Sequence, residues 1–197
     1  DYVSNPRTSL RGAARRSPFV RLASESRGPA RPSRVAVLLI RGGHTFEALA
    51  VVDHLAGGIR PAYLVCTDNL LGRQSIRVHG AVGWIRPSLQ QVLAKSATRI
   101  VVEMAYFVTS FLQTVRFLIV TNSRALISVG SGSSLAPMLA ARALGRRVIY
   151  VESACRINTR SLCGGLVYKL RLANLFFVQW ERQRIVYPRA VYAGRPF

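Results

Sequence analysis

With 197 residues, half of them hydrophobic, the chain can bury one good core, which excludes a wholly disordered protein and makes one domain the expectation. Its formal charge of +20 comes almost entirely from arginine, Lys95 and Lys169 being the lysines present, and points to an anionic lipid surface, phosphate-bearing substrates or nucleic acid. Arginine-favouring codon usage gives the same scattered charge. Cys66, Cys155 and Cys163 form no Cys-x-x-Cys pair, so neither a disulfide framework nor a zinc site with His44, His54 or His79 is readable.

Residues 1–34 hold eight arginines and two acids, and are rich in Ser, Pro and Ala. Without an apolar period they read as a flexible basic leader, suited to anionic lipid. No apolar run follows the arginines, so no signal peptide is expected. Val35 to Ile40 is a continuous apolar run closed by Arg41-Gly42-Gly43, the pattern of a buried parallel strand. Thr45 to Leu55 reads as a helix with Phe46, Leu49, Ala50 and Val52 as its apolar side and Gly57-Gly58 as its stop. Pro61 to Cys66 reads as a second strand, and Asp68 to Pro87 as a loop-rich crossover holding Trp84.

Ser88 to Val120 reads as mostly helical, in one helix or two. Its second half, Met104 to Val120, is apolar around the whole circumference but includes Gln113 and Arg116. It is short for a bilayer crossing, so any membrane contact is expected to be peripheral. The helix then either covers the sheet or presents an interface to membrane or to a partner protein. Strand Arg124 to Val129 leads through Gly130-Ser131-Gly132-Ser133-Ser134 into helix Leu135 to Leu144, with Pro137 in its first turn and Gly145 as its cap. Strand Val148 to Val151, a helix near Ser161 to Leu172, strand Leu175 to Val178 and a short strand over Ala190 to Ala193 complete the chain. The alternation predicts an α/β fold: a doubly wound, mostly parallel, Rossmann-like sheet over residues 35–197.

Three constellations carry chemistry. In Gly42-Gly43-His44-Thr45-x-Glu47 the glycines admit a ligand close to the backbone and the helix behind them offers free N–H groups. His44 can accept a proton there near neutral pH, with Glu47 one turn on to orient it or bind sugar hydroxyls. Plain capping explains the same turn. The second, Gly130, Gly132 and Ser133, suits phosphate but also an ordinary N-cap. The third joins Glu152 and Arg156 to Gln179 and Trp180. Glu152 is either a functional carboxylate or the salt-bridge partner of Arg156. Trp180 is either a ligand-stacking face or core packing. All three fall at carboxyl ends of strands, which converge on one crevice in this architecture. Neither G-x-G-x-x-G nor a P-loop lysine is present.

Together these residues resemble the acceptor-side subunits of split GT-B glycosyltransferases: the asparagine-linked glycosylation protein fourteen family of dolichol-oligosaccharide synthesis and the PssD-type proteins of bacterial polysaccharide synthesis. The family pattern G-G-H-x-x-E, G-x-G, V-E-S-x-x-R, S-L-x-G, Q-W and Y-P-x-A-x-Y-x-G is matched in sequence. The matching residues are Gly42, Gly43, His44 and Glu47; Gly130 and Gly132; Glu152, Ser153 and Arg156; Ser161, Leu162 and Gly164; Gln179 and Trp180; and Tyr187, Pro188, Ala190, Tyr192 and Gly194. The resemblance runs from Val35 to the C-terminus and is most specific from Val148 on.

The resemblance implies the N-terminal, acceptor-binding half of a GT-B enzyme. A separate small donor-binding subunit would supply most contacts to the UDP-sugar. Transfer would proceed with inversion to a polyprenyl-diphosphate-linked acceptor, on the cytoplasmic face of an anionic membrane, without a cofactor or metal. In that frame His44 is general base or acceptor contact and Glu47 its orienter. Gly42, Gly43, Gly130, Gly132 and Ser133 face phosphate or the partner; Glu152, Arg156, Gln179 and Trp180 shape the crevice. Arg41, where relatives carry a small residue, either reaches diphosphate or blocks the approach. The basic leader, in place of the membrane helix of the dolichol-pathway relatives, favours the bacterial branch. Two other classes fit less well: a non-catalytic membrane scaffold for a transferase, and a nucleic-acid module, for which the chain has charge but no recognition motif.

Overall fold

The computed structural model describes residues 33–55, 58–69, 81–88, 97–192 and 194. The predicted leader lies outside the described residues except for Ser33 and Arg34, which open the first strand. Residues 89–96 of the predicted helical stretch are outside them too. Among the described residues seven strands form one sheet: β1 Ser33–Leu39, β2 Ile59–Cys66, β3 Val82–Ile85, β4 Ala125–Val129, β5 Arg147–Val151, β6 Leu175–Val178 and β7 Val191–Tyr192. The order is β3-β2-β1-β4-β5-β6-β7, and each neighbouring pair is parallel. The chain winds outward from β1 to β3, then returns to the other side of β1 at β4. The direction reverses between β1 and β4, and their carboxyl ends therefore flank a crevice.

Helices cover both faces, which is why the central strands read as unbroken apolar runs. Along β1, Val35, Val37 and Leu39 meet helix α1 (Gly43–His54) through Ala48, Val51 and Val52. Ala36, Leu38 and Ile40 point the other way, as the two-residue pleat requires. There they meet Phe117 and Leu118 of α2 (Ala97–Val120), Met138 of α3 (Leu135–Ala143), and Cys163 and Val167 of α4 (Leu162–Lys169). A short α5 (Gln183–Val186) precedes β7.

Three expectations change. The buried side of α1 is Thr45, Glu47, Ala48, Val51 and Val52, while Phe46 is 57% exposed. Polar ties set that rotation: the Thr45 hydroxyl donates to the Ile40 carbonyl and accepts from Asn69 Nδ2 at 2.7 Å. The crossover after β2 contains a strand, β3, whose Gly83 admits the Phe117 ring; a Cβ there would stand 2.3 Å from Phe117 Cδ2.

Finally, α2 is long and apolar enough to cross a membrane, counter to the expectation of a short segment, and 11% of its most apolar window is buried. Its 24 residues reach about 36 Å at 1.5 Å per residue. It is not simply a core helix. Ser110, Thr114, Phe117 and Leu118 are buried, while Ile100, Val101, Met104, Val108 and Leu112 are exposed.

Candidate functional site

The site starts where β1 runs out. Gly42 takes φ +78°, a left-handed conformation that glycine adopts without penalty, and its carbonyl accepts from Thr45 N at 3.1 Å. This turn places His44 and Glu47 on the first two turns of α1, at the switch-point crevice. Across it, Gly130 leaves β4 at φ +53° with its N–H bonded to the Val151 carbonyl at 3.1 Å. The His44 ring lies against it: a Cβ on Gly130 would stand 2.5 Å from His44 Cε1. The β1 and β4 glycine turns therefore form a matched pair, one presenting the imidazole and the other making room for it.

Glu47 is buried and fully engaged. Its Oε1 accepts from Ser153 Oγ at 3.1 Å and Ala154 N at 3.2 Å; its Oε2 accepts from Gln179 Nε2 at 3.3 Å. His44 Nδ1 lies 4.0 Å from Oε2. That nitrogen is buried and makes no hydrogen bond among the described residues. The imidazole is 30% exposed, through its other atoms. A buried carboxylate held by three donors, with an imidazole nitrogen 4.0 Å away, can orient that ring.

Gln179 closes the arrangement from β6, also donating to the Glu152 carbonyl at 2.9 Å. Gln183 Oε1 accepts from the backbone N–H groups of Gln179 and Trp180, each at 3.3 Å. Trp180 is half-buried, its indole N–H donating to the Ala154 carbonyl at 2.7 Å. Ala154 is thus fixed from both sides.

Glu152 sits below this layer with no exposed surface. Its Oε2 accepts from Tyr187 Oη at 2.7 Å and Ser161 Oγ at 3.0 Å, and Oε1 accepts from Ser153 N at 3.2 Å. Gly164 is what makes room, since a Cβ there would fall 1.8 Å from Oε2. Burial, then the adjacent Glu152 carboxylate, pushes the Tyr187 hydroxyl well above its ordinary value. Arg156 is exposed and makes no ion pair with Glu152 among the described residues, so the simple salt bridge is not formed. Ser133, in the 3₁₀ turn Gly132–Ser134, is buried with its hydroxyl donating to the Ser88 carbonyl at 2.9 Å. Arg41 reaches Asp68 across the mouth at 3.9 Å.

The structure therefore joins His44, Glu47, Gly130 and Gln179 directly, with Trp180 beside them and Glu152 beneath. It adds Ser153, Ala154, Gln183 and Tyr187, which no single motif singles out as site residues. Their signal was family position for Ser153 and Tyr187, and none for the backbone of Ala154. Buried Cys66 and Cys163 are each pushed up to about 12 by burial, and are poor nucleophiles. Among the described residues no group of three or more His, Cys, Asp or Glu side chains could hold a metal ion.

Residues 35–196 match the family of Alg14-like oligosaccharide biosynthesis proteins. The UDP-N-acetylglucosamine transferase subunit ALG14 of Eremothecium gossypii is 31% identical over 185 residues, covering 85% of this chain and 81% of that protein. The Mus musculus protein of the same name is 25% identical over 185 residues, covering 85% and 84%. With the Rattus norvegicus protein the similarity is denser but local, 44% over 48 residues, so the chain spans 21% of that relative. Among solved structures, MurG of Acinetobacter baumannii superposes with a TM-score of 0.61 at 18% identity, over 77% of this chain and 43% of that one. The calicheamicin glycosyltransferase CalG4 gives 0.53 at 12% identity, over 84% and 53%. The chain thus has the fold of about half of each such molecule, the Rossmann-like half of a GT-B glycosyltransferase, and by its match over residues 35–196 it belongs to the Alg14-like family.

Proposed function

We propose that this protein is the acceptor-binding subunit of a UDP-sugar glycosyltransferase, completed by a separate donor-binding subunit that resembles the other GT-B half. The names of its relatives, subunits of a UDP-N-acetylglucosamine transferase, support that donor class. The observation that carries the reading is the His44–Glu47 pair at the switch-point crevice, packed on Gly130 and locked to the ends of β5 and β6.

In this mechanism an acceptor hydroxyl attacks the anomeric carbon of the donor sugar. The new C–O bond forms as the bond to the UDP oxygen breaks, with inversion, and the hydroxyl proton passes to His44. Glu47 holds the ring and stabilises the imidazolium. The backbones of Gly42, Gly43, Gly130, Gly132 and Ser133 face the phosphates or the partner. Gln179 and Trp180 define the acceptor wall, which Glu152 supports from below and Arg156 borders. The acceptor is a polyprenyl-diphosphate-linked sugar, whose charge suits this basic chain.

The exposed apolar side of α2 supports attachment to the cytoplasmic face of a membrane. Because Phe117 and Leu118 tie its C-terminal turns to the sheet, the helix lies in the interface rather than crossing it. The test is transfer of sugar from a UDP-donor to a lipid-diphosphate acceptor by the chain co-expressed with its donor-binding partner. His44→Ala should abolish turnover while the two subunits still co-purify. Unchanged turnover would instead support a non-catalytic scaffold, and robust turnover by the isolated chain would overturn the split-subunit reading.

A further inference from the structure

On the helix layer that carries α2, but two strands away from the crevice and at the opposite ends of the strands, α4 borders a second feature. A cavity of about 210 Å³ lies between its C-terminal end and the residues entering β6, floored by Val167, Ala173 and Phe176. Beside it, sharing Tyr168, Arg171 and Arg189, lies a wider groove of about 610 Å³ whose lining includes Arg160, Lys169, Arg171 and Arg189. None of these four cations makes an ion pair among the described residues. Like charges gathered without a counter-ion repel one another and draw in an anion.

The groove is built rather than incidental. Arg189 lies over the Tyr168 ring at 4.6 Å, and its Nη2 donates to the Tyr168 carbonyl at 3.3 Å. Its guanidinium is therefore held before any ligand arrives, which reduces the ordering cost of binding. Burial pushes the Tyr168 hydroxyl up, yet the hydrogen bonds and charge of Arg189 outweigh it and hold the group below its ordinary value. Arg171 sits two residues past the end of α4 at φ +52°, the position where helices usually place glycine. Lys169 and Arg171 also suit the negative end of the helix, and Arg160 is held by donating to the Val186 carbonyl at 2.9 Å. One step around α4, Leu162, Leu166 and Leu170 form an exposed ridge, Leu162 at 85%. An apolar ridge beside a cationic groove is the pattern of a helix lying at a membrane interface.

We propose that this groove binds the phosphoryl headgroup of an anionic membrane lipid, with the Leu162–Leu166–Leu170 ridge entering the acyl boundary beside it. This second contact rests on the membrane attachment proposed above, not on the chemistry at His44. It adds a preference for charge that an apolar helix alone does not give.

The experiment is vesicle flotation of the full chain on phosphatidylcholine vesicles with and without phosphatidylglycerol. The variant is Arg171→Gly with Lys169→Gln. Glycine favours the φ at 171, so the fold is retained, and thermal melting checks this. Wild type should prefer the anionic vesicles. The double variant should lose about twenty-five-fold of that affinity, since each basic residue near an anionic surface contributes roughly five-fold, and should keep its binding to neutral vesicles. A double variant that keeps the full anionic affinity of wild type overturns the groove while leaving membrane attachment standing. If wild type binds no vesicle, both readings fall. Saturable binding of inorganic phosphate that the variant loses, with vesicle binding unchanged, assigns the groove to a free phosphate and overturns the lipid reading.

Discussion

Gly130 and Glu47 set the geometry of His44 from opposite sides. An alanine at 130 would place its methyl group inside the imidazole and force φ +53° on a residue with a Cβ. Gly130→Ala should therefore cost about 1–3 kcal/mol of stability and lower turnover, read by melting and by transfer assay. Glu47→Gln keeps the size but exchanges one acceptor for a donor facing donors, so it should lose about 1–3 kcal/mol and shift the pH–rate profile. An unchanged profile would make Glu47 merely structural.

The tyrosine beneath the site makes a separate prediction. The Tyr187 hydroxyl titrates higher in the folded than in the unfolded protein. Its stabilising contribution is fully present below the unfolded value near 10 and declines as pH rises toward the folded one. Alkaline melting should show that decline, and Tyr187→Phe should flatten it. Some of the slope should remain, because burial also raises Tyr150 and Tyr63. At this scale the sequence exposed the polar residues at strand ends but not their directions. Glu152 and Glu47 look alike in a motif. One is enclosed under the sheet's end and the other faces His44, because Gly164 opens a pocket for the first and Ser153 with Gln179 receives the second.

Among the elements, α2 separates burial from apolarity. Met104 and Leu112 lie on its exposed side, so Met104→Glu with Leu112→Glu should leave the melting temperature nearly unchanged and reduce vesicle binding. A large loss of stability would show instead that this face is packed. Periodicity found most strands and helices because a sheet covered on both faces needs continuous apolar runs. It failed on the facing of α1, where hydrogen bonds from Thr45 and Glu47 override the apolar pattern and turn Phe46 outward. It also failed on β3, which is four residues long and has a glycine where the Phe117 ring presses in.

Considered as a whole molecule, the chain has an open crevice at the switch point of one sheet, and the donor half lies on another polypeptide in the proposed assembly. The alternation of strands and helices was enough to read the parallel sheet, while the separate donor half was implied by the family resemblance alone. The second feature, the basic groove at α4, was hidden because Arg160, Lys169, Arg171 and Arg189 come together only through packing of α4 against β6 and the entry to β7.

The hydrogen bonds of Glu47 have one more consequence. They run from α1 to the segment after β5 and on to β6, passing over the reversal of strand order, and so weld the crevice's two jaws into one rigid anvil. In the proposed assembly, closing on a donor would then fall to a swing of the other subunit, with no hinge between the segments these bonds join. Amide exchange at Ser153, Ala154 and Gln179 should stay equally slow whether the partner is docked or absent.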